Sequence, residues 1–101
     1  MVDYLQNKRT AIVAACERHA VLRLDAFGSA LRDDFSPGES DIDLLVEFKP
    51  LESYALVDAY FGLLDELRSL LGEVDLVMVG AVKNRYIARA IEREKQLLYA
   101  A

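Results

Sequence analysis

The chain has 101 residues, of which 53% are hydrophobic and 29% charged, and its formal net charge is −5. This balance predicts one globular domain over residues 1–101 with a modest core, and it excludes a disordered chain. The negative charge argues against broad electrostatic binding to nucleic acid. One cysteine, Cys16, excludes an internal disulfide and a cysteine zinc cluster. No signal-like or long apolar segment is seen, so we expect a cytoplasmic protein without a membrane partner.

Residues 3–19 predict the first helix, with Asp3 as a candidate N-cap. Cys16 is interpreted as a core residue, because a free cysteine is usually buried. His19, the one histidine, is interpreted as a C-terminal helix residue that suits the helix dipole rather than as a catalytic base.

Two strands flank a polar, turn-rich segment. Val21–Phe27 is the first predicted strand, and one of its faces carries Leu22, Leu24 and Ala26. A short helix is expected at residues 29–34 and a loop at residues 36–39. Ile42–Phe48 is the second predicted strand.

The second strand presents two different faces, because successive side chains alternate. Asp41 and Asp43 point to one side, and the opposite, core-forming side carries Ile42, Leu44, Val46 and Phe48. Two carboxylates this close repel one another unless a cation compensates. Mg²⁺ suits this arrangement, since it favours one or two carboxylates together with substrate phosphates.

The dipeptide Gly28-Ser29 predicts a phosphate site at the end of the first strand. Glycine permits a close backbone approach and unusual dihedrals. Ser29 opens the short helix, whose free N–H groups suit an anion. Arg32, one turn later, is placed to reach the same anion.

The second half predicts a long helix, a strand, a helix and a short edge strand. Ser53–Leu71 has helical apolar spacing and ends at Gly72. Residues 74–79 form the third strand, in which the charge of Asp75 requires a partner or a purpose. The last helix is expected at residues 82–94, where the basic residues Lys83, Arg85 and Arg89 are interpreted as a solvated face, with a phosphate or partner surface as the alternative. Residues 96–99 are a candidate edge strand.

The motifs together resemble the minimal nucleotidyltransferase (MNT) family of the DNA polymerase beta superfamily. The resemblance lies in Gly28-Ser29, eleven intervening residues, Asp41-Ile42-Asp43 and a later strand carboxylate at Asp75. The segments FGSALR, SDIDLLVEF and VDLVMVGAVKNR extend it over nearly the whole chain. It implies an α/β (α+β) fold, with a small mixed β-sheet and helices packed on it.

The resemblance also implies site roles and partners. Asp41, Asp43 and Asp75 would hold two Mg²⁺ ions with a bound nucleoside triphosphate, and Gly28, Ser29 and Arg32 would bind its phosphates. The family implies transfer of AMP from ATP to a tyrosine of a HEPN toxin, which makes the protein the antitoxin of a toxin–antitoxin pair. Two departures are Asp33, where members often have glycine, and Asn84, where they often have proline.

Two other functions remain open at this point. A chain of 101 residues leaves little room for an acceptor-binding domain, so a catalytically idle antitoxin that only covers its partner is the alternative. A small-molecule nucleotidyltransferase is the third hypothesis. Self-association into a homo-oligomer is also left open.

Overall fold

The computed structural model describes residues 2–31 and 41–101, which form a mixed sheet with helices packed against it. The elements follow in this order: α1 (Val2–Asn7), α2 (Arg9–Arg18), β1 (Val21–Phe27), a 3₁₀ helix (Gly28–Leu31), β2 (Ile42–Phe48), α3 (Ser53–Leu71), β3 (Val74–Met78), α4 (Arg85–Glu94) and β4 (Gln96–Ala100).

The sheet has four strands in the order β3-β2-β1-β4. β1 is antiparallel to both β2 and β4, whereas β2 and β3 run parallel. The predicted small mixed sheet is therefore confirmed. β1 and β2, which flank the Gly-Ser turn, are its two central strands.

The core lies between one face of the sheet and the helices α2 and α3. The predicted alternation in β2 is confirmed, because Ile42, Leu44 and Val46 are buried while Asp41 is exposed and Asp43 half-buried. The helices contribute buried apolar side chains to the same core, among them Ile12, Ala15, Cys16, Leu63 and Leu67. The bounds predicted for α3 agree with the structure, and Gly72 ends the helix at φ +92°.

The prediction of one helix over residues 3–19 was wrong. The chain turns at Lys8, whose N–H donates to the Leu5 carbonyl at 3.1 Å, three residues back instead of four. The turn changes the direction of the chain between α1 and α2. As a result, the Tyr4 hydroxyl donates to the Leu71 carbonyl at the end of α3 (3.2 Å). Asp3 lies within α1, which already includes Val2, so its prediction as an N-cap was also wrong.

The face predicted for β1 was wrong at one residue. Leu22 is 38% exposed, whereas Leu24 and Ala26 are buried as expected and Val21 is buried as well. The pairing of β1 with β2 shifts between Val21 and Arg23. Such a bulge adds one residue to one strand and reverses the alternation beyond it, which is why Leu22 turns outward.

The last helix begins three residues later than predicted, at Arg85. Asn84 is its N-cap, since the Asn84 side-chain oxygen accepts from the N–H groups of Tyr86 (2.9 Å) and Ile87 (3.2 Å). β3 ends at Met78, one residue before its predicted end. The predicted edge strand is confirmed as β4, which is one residue longer than expected. Within the described ranges, no helix is long and apolar enough to cross a membrane.

Candidate active site

The turn that leaves β1 is shaped by Gly28. Its φ is +61°, a left-handed conformation that favours glycine. A Cβ atom at this position would lie 2.5 Å from Oδ2 of Asp43. Glycine is therefore required at this position for two reasons: the backbone is left-handed, and the Asp43 carboxylate leaves no room for a side chain.

Ser29 binds the strand that carries the carboxylates. Its backbone N–H donates to Asp43 Oδ2 at 3.2 Å, and its Oγ lies 3.1 Å from the same oxygen. The Ser29 Oγ also lies 2.7 Å from the Asp41 carbonyl oxygen. A hydroxyl has one hydrogen to donate, so the Asp41 carbonyl and the Asp43 carboxylate compete for it. The Gly-Ser turn thus holds the Asp-x-Asp strand end through both main chain and side chain.

Asp43 and Asp75 are direct neighbours across the parallel pair of β2 and β3. Paired residues project from the same face of a sheet, so both carboxylates stand on the face opposite the core. Phe27 pairs with Asp43 on the other side and shares that face. The convergence of the second and third strand carboxylates, which the sequence left undecided, follows from this register.

The environments of the three carboxylates differ. Asp43 is half-buried, whereas Asp41 and Asp75 are exposed. Asp75 therefore meets water at the sheet edge, and its charge needs no buried partner. Among residues 2–31 and 41–101, no three aspartate, glutamate, histidine or cysteine side chains are close enough to hold one ion together. The donor set itself is all carboxylate oxygen, which fits a hard cation such as Mg²⁺.

Arg32, predicted to assist with phosphate, and Asp33, the departure beside it, lie outside the described residues, as do the loop at residues 36–39 and the end of the helix predicted at residues 29–34. The helical turn that is described is the 3₁₀ helix Gly28–Leu31, so the predicted helix already begins at Gly28.

Sequence reasoning missed Asp25, which is 1% exposed and lies on the same sheet face. Its two carboxylate oxygens accept from the Arg23 guanidinium, at 2.9 Å from Nε and 3.0 Å from Nη2. The Lys95 ammonium lies 4.0 Å away. The hydrogen bonds from Arg23 to Asp25 raise the pKa of Arg23 above its ordinary value. The signal was present in the sequence, because Arg23 and Asp25 are two residues apart and so share a strand face.

The remaining candidates lie away from the carboxylates. Cys16 is fully buried in the core, as predicted. His19 caps the C-terminus of α2, also as predicted, and its Nε2 lies 3.1 Å from Oε2 of Glu66 on α3. Its ring packs so closely on Gly62 that a Cβ there would lie 2.6 Å from it. His19 and Glu66 therefore join two helices on the core side of the sheet.

The basic residues near α4 are exposed, in agreement with the solvated face. Lys83 precedes the helix, and its ammonium donates to the Gly80 carbonyl at 2.9 Å. The Arg85 guanidinium lies 5.8 Å from the centre of the Tyr86 ring. The side of α4 that meets the sheet carries Ala88 and Ile91, which line a cavity of about 140 Å³ with Leu45 of β2.

Comparison with known proteins agrees with this geometry. The profile of the nucleotidyltransferase domain matches residues 8–98. A protein from Methanocaldococcus jannaschii, assigned by inference as a protein adenylyltransferase, is 43% identical over 79 residues, which cover 77% of this chain and 76% of the relative.

Solved structures share the fold. A protein assigned as a minimal nucleotidyltransferase superposes with a TM-score of 0.73 at 30% identity, over 93% of this chain and 92% of its own. A toxin–antitoxin complex with AMP-PNP gives a TM-score of 0.64 at 20% identity, over 92% of this chain and 73% of that chain. An MNT antitoxin bound to the tri-AMPylated HEPN toxin of Shewanella oneidensis gives a TM-score of 0.58 at 19% identity. The superposition covers 96% of this chain and 73% of that chain.

Proposed function

The chain belongs to the nucleotidyltransferase domain family and is a nucleotidyltransferase, and from this premise we propose that it transfers AMP from ATP to a tyrosine of a HEPN-type toxin. In this proposal it is the antitoxin of a toxin–antitoxin pair. The observation that carries the proposal is the pairing of Asp43 with Asp75 beside the Gly28-Ser29 turn. A strand pair bearing two facing carboxylates next to a glycine turn that permits close backbone approach suits a magnesium-bound triphosphate.

Each residue has a defined task in the proposed reaction. Asp41, Asp43 and Asp75 would hold Mg²⁺, which would supply charge neutralisation at the reacting phosphate. The Gly28-Ser29 turn, with the Ser29 hydroxyl and Arg32, would bind the outer phosphates. To bind phosphate, the Ser29 hydroxyl must give up its hydrogen bond to Asp41 or Asp43.

The transfer itself is an in-line displacement. The tyrosine Oη forms a bond to the α-phosphorus of ATP as the bond to the pyrophosphate oxygen breaks. The carboxylate of Asp75, which is exposed at the sheet edge, accepts the hydroxyl proton. The products are an AMP-tyrosine ester and pyrophosphate. Positioning and charge complementarity supply most of the rate enhancement in such a site.

The partner is proposed on the same basis. Related folds occur in complexes of MNT antitoxins with HEPN toxins, one of them AMPylated. The M. jannaschii relative carries the name of an enzyme that adenylylates proteins. Both support a protein acceptor over a small molecule.

The test is an AMP-transfer assay with the purified protein, Mg²⁺, α-labelled ATP and the HEPN-type protein proposed as the acceptor. We expect label and AMP mass on a tyrosine of the HEPN protein. Asp43→Asn should reduce the rate by at least about 100-fold, the usual loss when one preorganised charge is removed. Glu47→Gln is the matched control, because Glu47 is an exposed carboxylate farther along the same face of β2, and it should leave the rate unchanged.

Two results would contradict the proposal. Transfer that Asp43→Asn leaves intact would place the chemistry elsewhere. Neutralisation of the toxin by Asp43→Asn as complete as that by the wild type, with no AMP on either protein, would mean that the protein acts by covering its partner.

A further inference from the structure

The outer face of α3 carries a row of large apolar side chains in water. Tyr54, Val57 and Phe61 are spaced by three and four residues, so they share one helix face. Their side chains are 90%, 53% and 56% exposed. Contiguous exposed apolar surface of this kind marks an interaction site more often than single exposed residues do. We call this row the α3 stripe.

The α3 stripe lies along the outer edge of β3. β3 pairs with β2 through the carbonyl of Glu73 and the N–H of Val79. Alternate residues therefore direct their peptide groups away from β2, and Leu76 is one of them. The Tyr60 hydroxyl donates to the Leu76 carbonyl at 2.6 Å, so α3 flanks this edge, along which no other strand pairs in residues 2–31 and 41–101. The same edge strand carries Asp75 one residue before Leu76.

An apolar groove joins the α3 stripe to the end of β3. It has a volume of about 190 Å³ and is lined by Leu56, Val57, Tyr60, Phe61 and Met78. The rings of Tyr60 and Phe61 meet edge to face, with centroids 5.1 Å apart. The groove can take an apolar side chain of a docked protein.

Acidic residues border the α3 stripe on the side away from β3. Asp58 and Asp65 are exposed and follow the same helical spacing, with Arg68 at the far end of the row. Two copies that met antiparallel through the middle of this stripe would bring their Asp58 side chains together. Like charges in contact oppose such pairing. A partner with basic residues beside an apolar face fits better.

We propose that the α3 stripe and its groove are the docking surface for the protein that carries the acceptor tyrosine, and that this partner presents an apolar face bordered by lysine or arginine. The inference rests on the proposed function. A protein seated along the outer edge of β3 lies next to Asp75, the residue assigned to receive the hydroxyl proton. The partner would thus bind along the outer edge of β3, and the transfer would take place at Asp75 of the same strand.

The experiment measures binding separately from chemistry. The double variant Val57→Ser/Phe61→Ser truncates two side chains that are more than half exposed, so it should fold. Without ATP, calorimetry with the HEPN protein should give a Kd raised at least about tenfold, as expected when central apolar contacts are lost. Binding of Mg²⁺ with AMP-PNP should stay unchanged. Tyr86→Ser is the matched control, since Tyr86 is 71% exposed on α4, and it should bind the partner as the wild type does.

A second variant tests whether the acidic residues beside the α3 stripe contribute to partner binding. Asp58→Lys/Asp65→Lys should weaken the complex at low salt, and the difference should shrink as salt rises. Tighter binding in this variant would contradict a basic partner.

Four further outcomes separate the inference from its premise. A wild-type complex that transfers no AMP but depends on Val57 and Phe61 supports the docking surface and removes the proposed function. Transfer and binding that the double variant leaves intact overturn the docking surface alone. A change in self-association on sedimentation, with partner binding intact, would assign the stripe to a second copy and overturn the inference. A wild type that binds no HEPN protein would overturn it as well.

Discussion

At the scale of single residues, Gly28 offers the sharpest test of the site. In Gly28→Ala the new methyl group would meet Asp43 Oδ2, and the backbone would remain left-handed. The left-handed backbone should cost roughly 1–2 kcal/mol of stability. Displacement of Asp43 should in addition lower AMP transfer by at least about 100-fold. Urea unfolding and the transfer assay measure the two effects.

Gly80→Ala separates backbone strain from the clash. Gly80 also has a positive φ, +92°, but nothing lies within 4 Å of a Cβ built there. This variant should lose comparable stability and keep its activity. Equal losses of activity in both variants would show that general destabilisation, not contact with Asp43, explains the defect.

Cys16 should be chemically silent in the folded protein. Its side chain is 0% exposed, and burial raises the pKa of its thiol to about 12. Only the thiolate reacts with disulfide reagents. We therefore expect no labelling by an aromatic disulfide at pH 8 in the native state, and full labelling in denaturing urea. Labelling faster than global unfolding would contradict the closed packing of α2 on the sheet.

Several residue-level predictions agree with the structure because they depend on local rules. Alternation placed Ile42 and Asp43 on opposite faces, and both lie where predicted. Leu22 and Asp25 escaped prediction for a different reason. A bulge in the pairing of β1 turned Leu22 outward, and Lys95, 70 residues away in sequence, lies beside Asp25. Neither the pairing register nor the distant contact with Lys95 is encoded in a short window, whereas the local pair of Arg23 and Asp25 is.

At the scale of elements, α4 depends on its cap. Asn84→Ala removes the oxygen that accepts from Tyr86 and Ile87, and such a change typically costs about 1 kcal/mol. Asn84→Asp keeps an acceptor and is the matched control. Urea unfolding should show the loss for alanine and little change for aspartate. A loss of the same size in both variants would contradict the cap.

The contact between α2 and α3 should make stability depend on pH. The Arg18 guanidinium donates to Glu66 Oε1 at 2.8 Å and, with a smaller contribution from His19, holds the pKa of Glu66 below its ordinary value of 4.5. A carboxyl with a lowered folded pKa adds stability above its unfolded pKa, and this stability is lost as the pH falls through the folded pKa. At pH 6 the free energy of unfolding should therefore be higher for the wild type than for Glu66→Gln.

The difference between the wild type and Glu66→Gln should shrink as the pH drops below 4.5. Urea unfolding at a series of pH values measures it. Asp65→Asn, at the exposed neighbouring carboxylate, is the control and should show a smaller change. A difference that stays constant from neutral to acidic pH would mean that Glu66 acts by packing alone.

The sequence located most elements and misjudged some of their ends. Apolar periodicity gave α3 and β2 their observed bounds. The break at Lys8 and the start of α4 at Arg85 were not expected, because helical spacing continues through both points. The break is fixed by the contact of Tyr4 with α3, and the start by the side-chain hydrogen bonds of Asn84. For Arg32 and the loop that follows, the predictions stand as predictions.

At the scale of the whole molecule, nucleotide binding should stabilise the fold. The net charge of −5 includes the three carboxylates of the proposed site, Asp41, Asp43 and Asp75. A ligand that binds only the folded state at about 100 times its Kd adds about 2.7 kcal/mol. Mg²⁺ with AMP-PNP should therefore raise the thermal midpoint of the wild type and of Glu47→Gln. An equal rise in Asp43→Asn would contradict the assigned site.

The exposure of Asp75 has a consequence for how such proteins diverge. Its side chain fills no part of the core, so the sheet does not depend on it, whereas Asp43 is tied to the turn at Ser29. If Asp75 receives the proton as proposed, a lineage that replaces it would lose the proton acceptor and retain the fold together with the α3 stripe. One substitution then separates an antitoxin that modifies its target from one that only occupies it, and descent from catalysis to pure inhibition requires no remodelling of the protein.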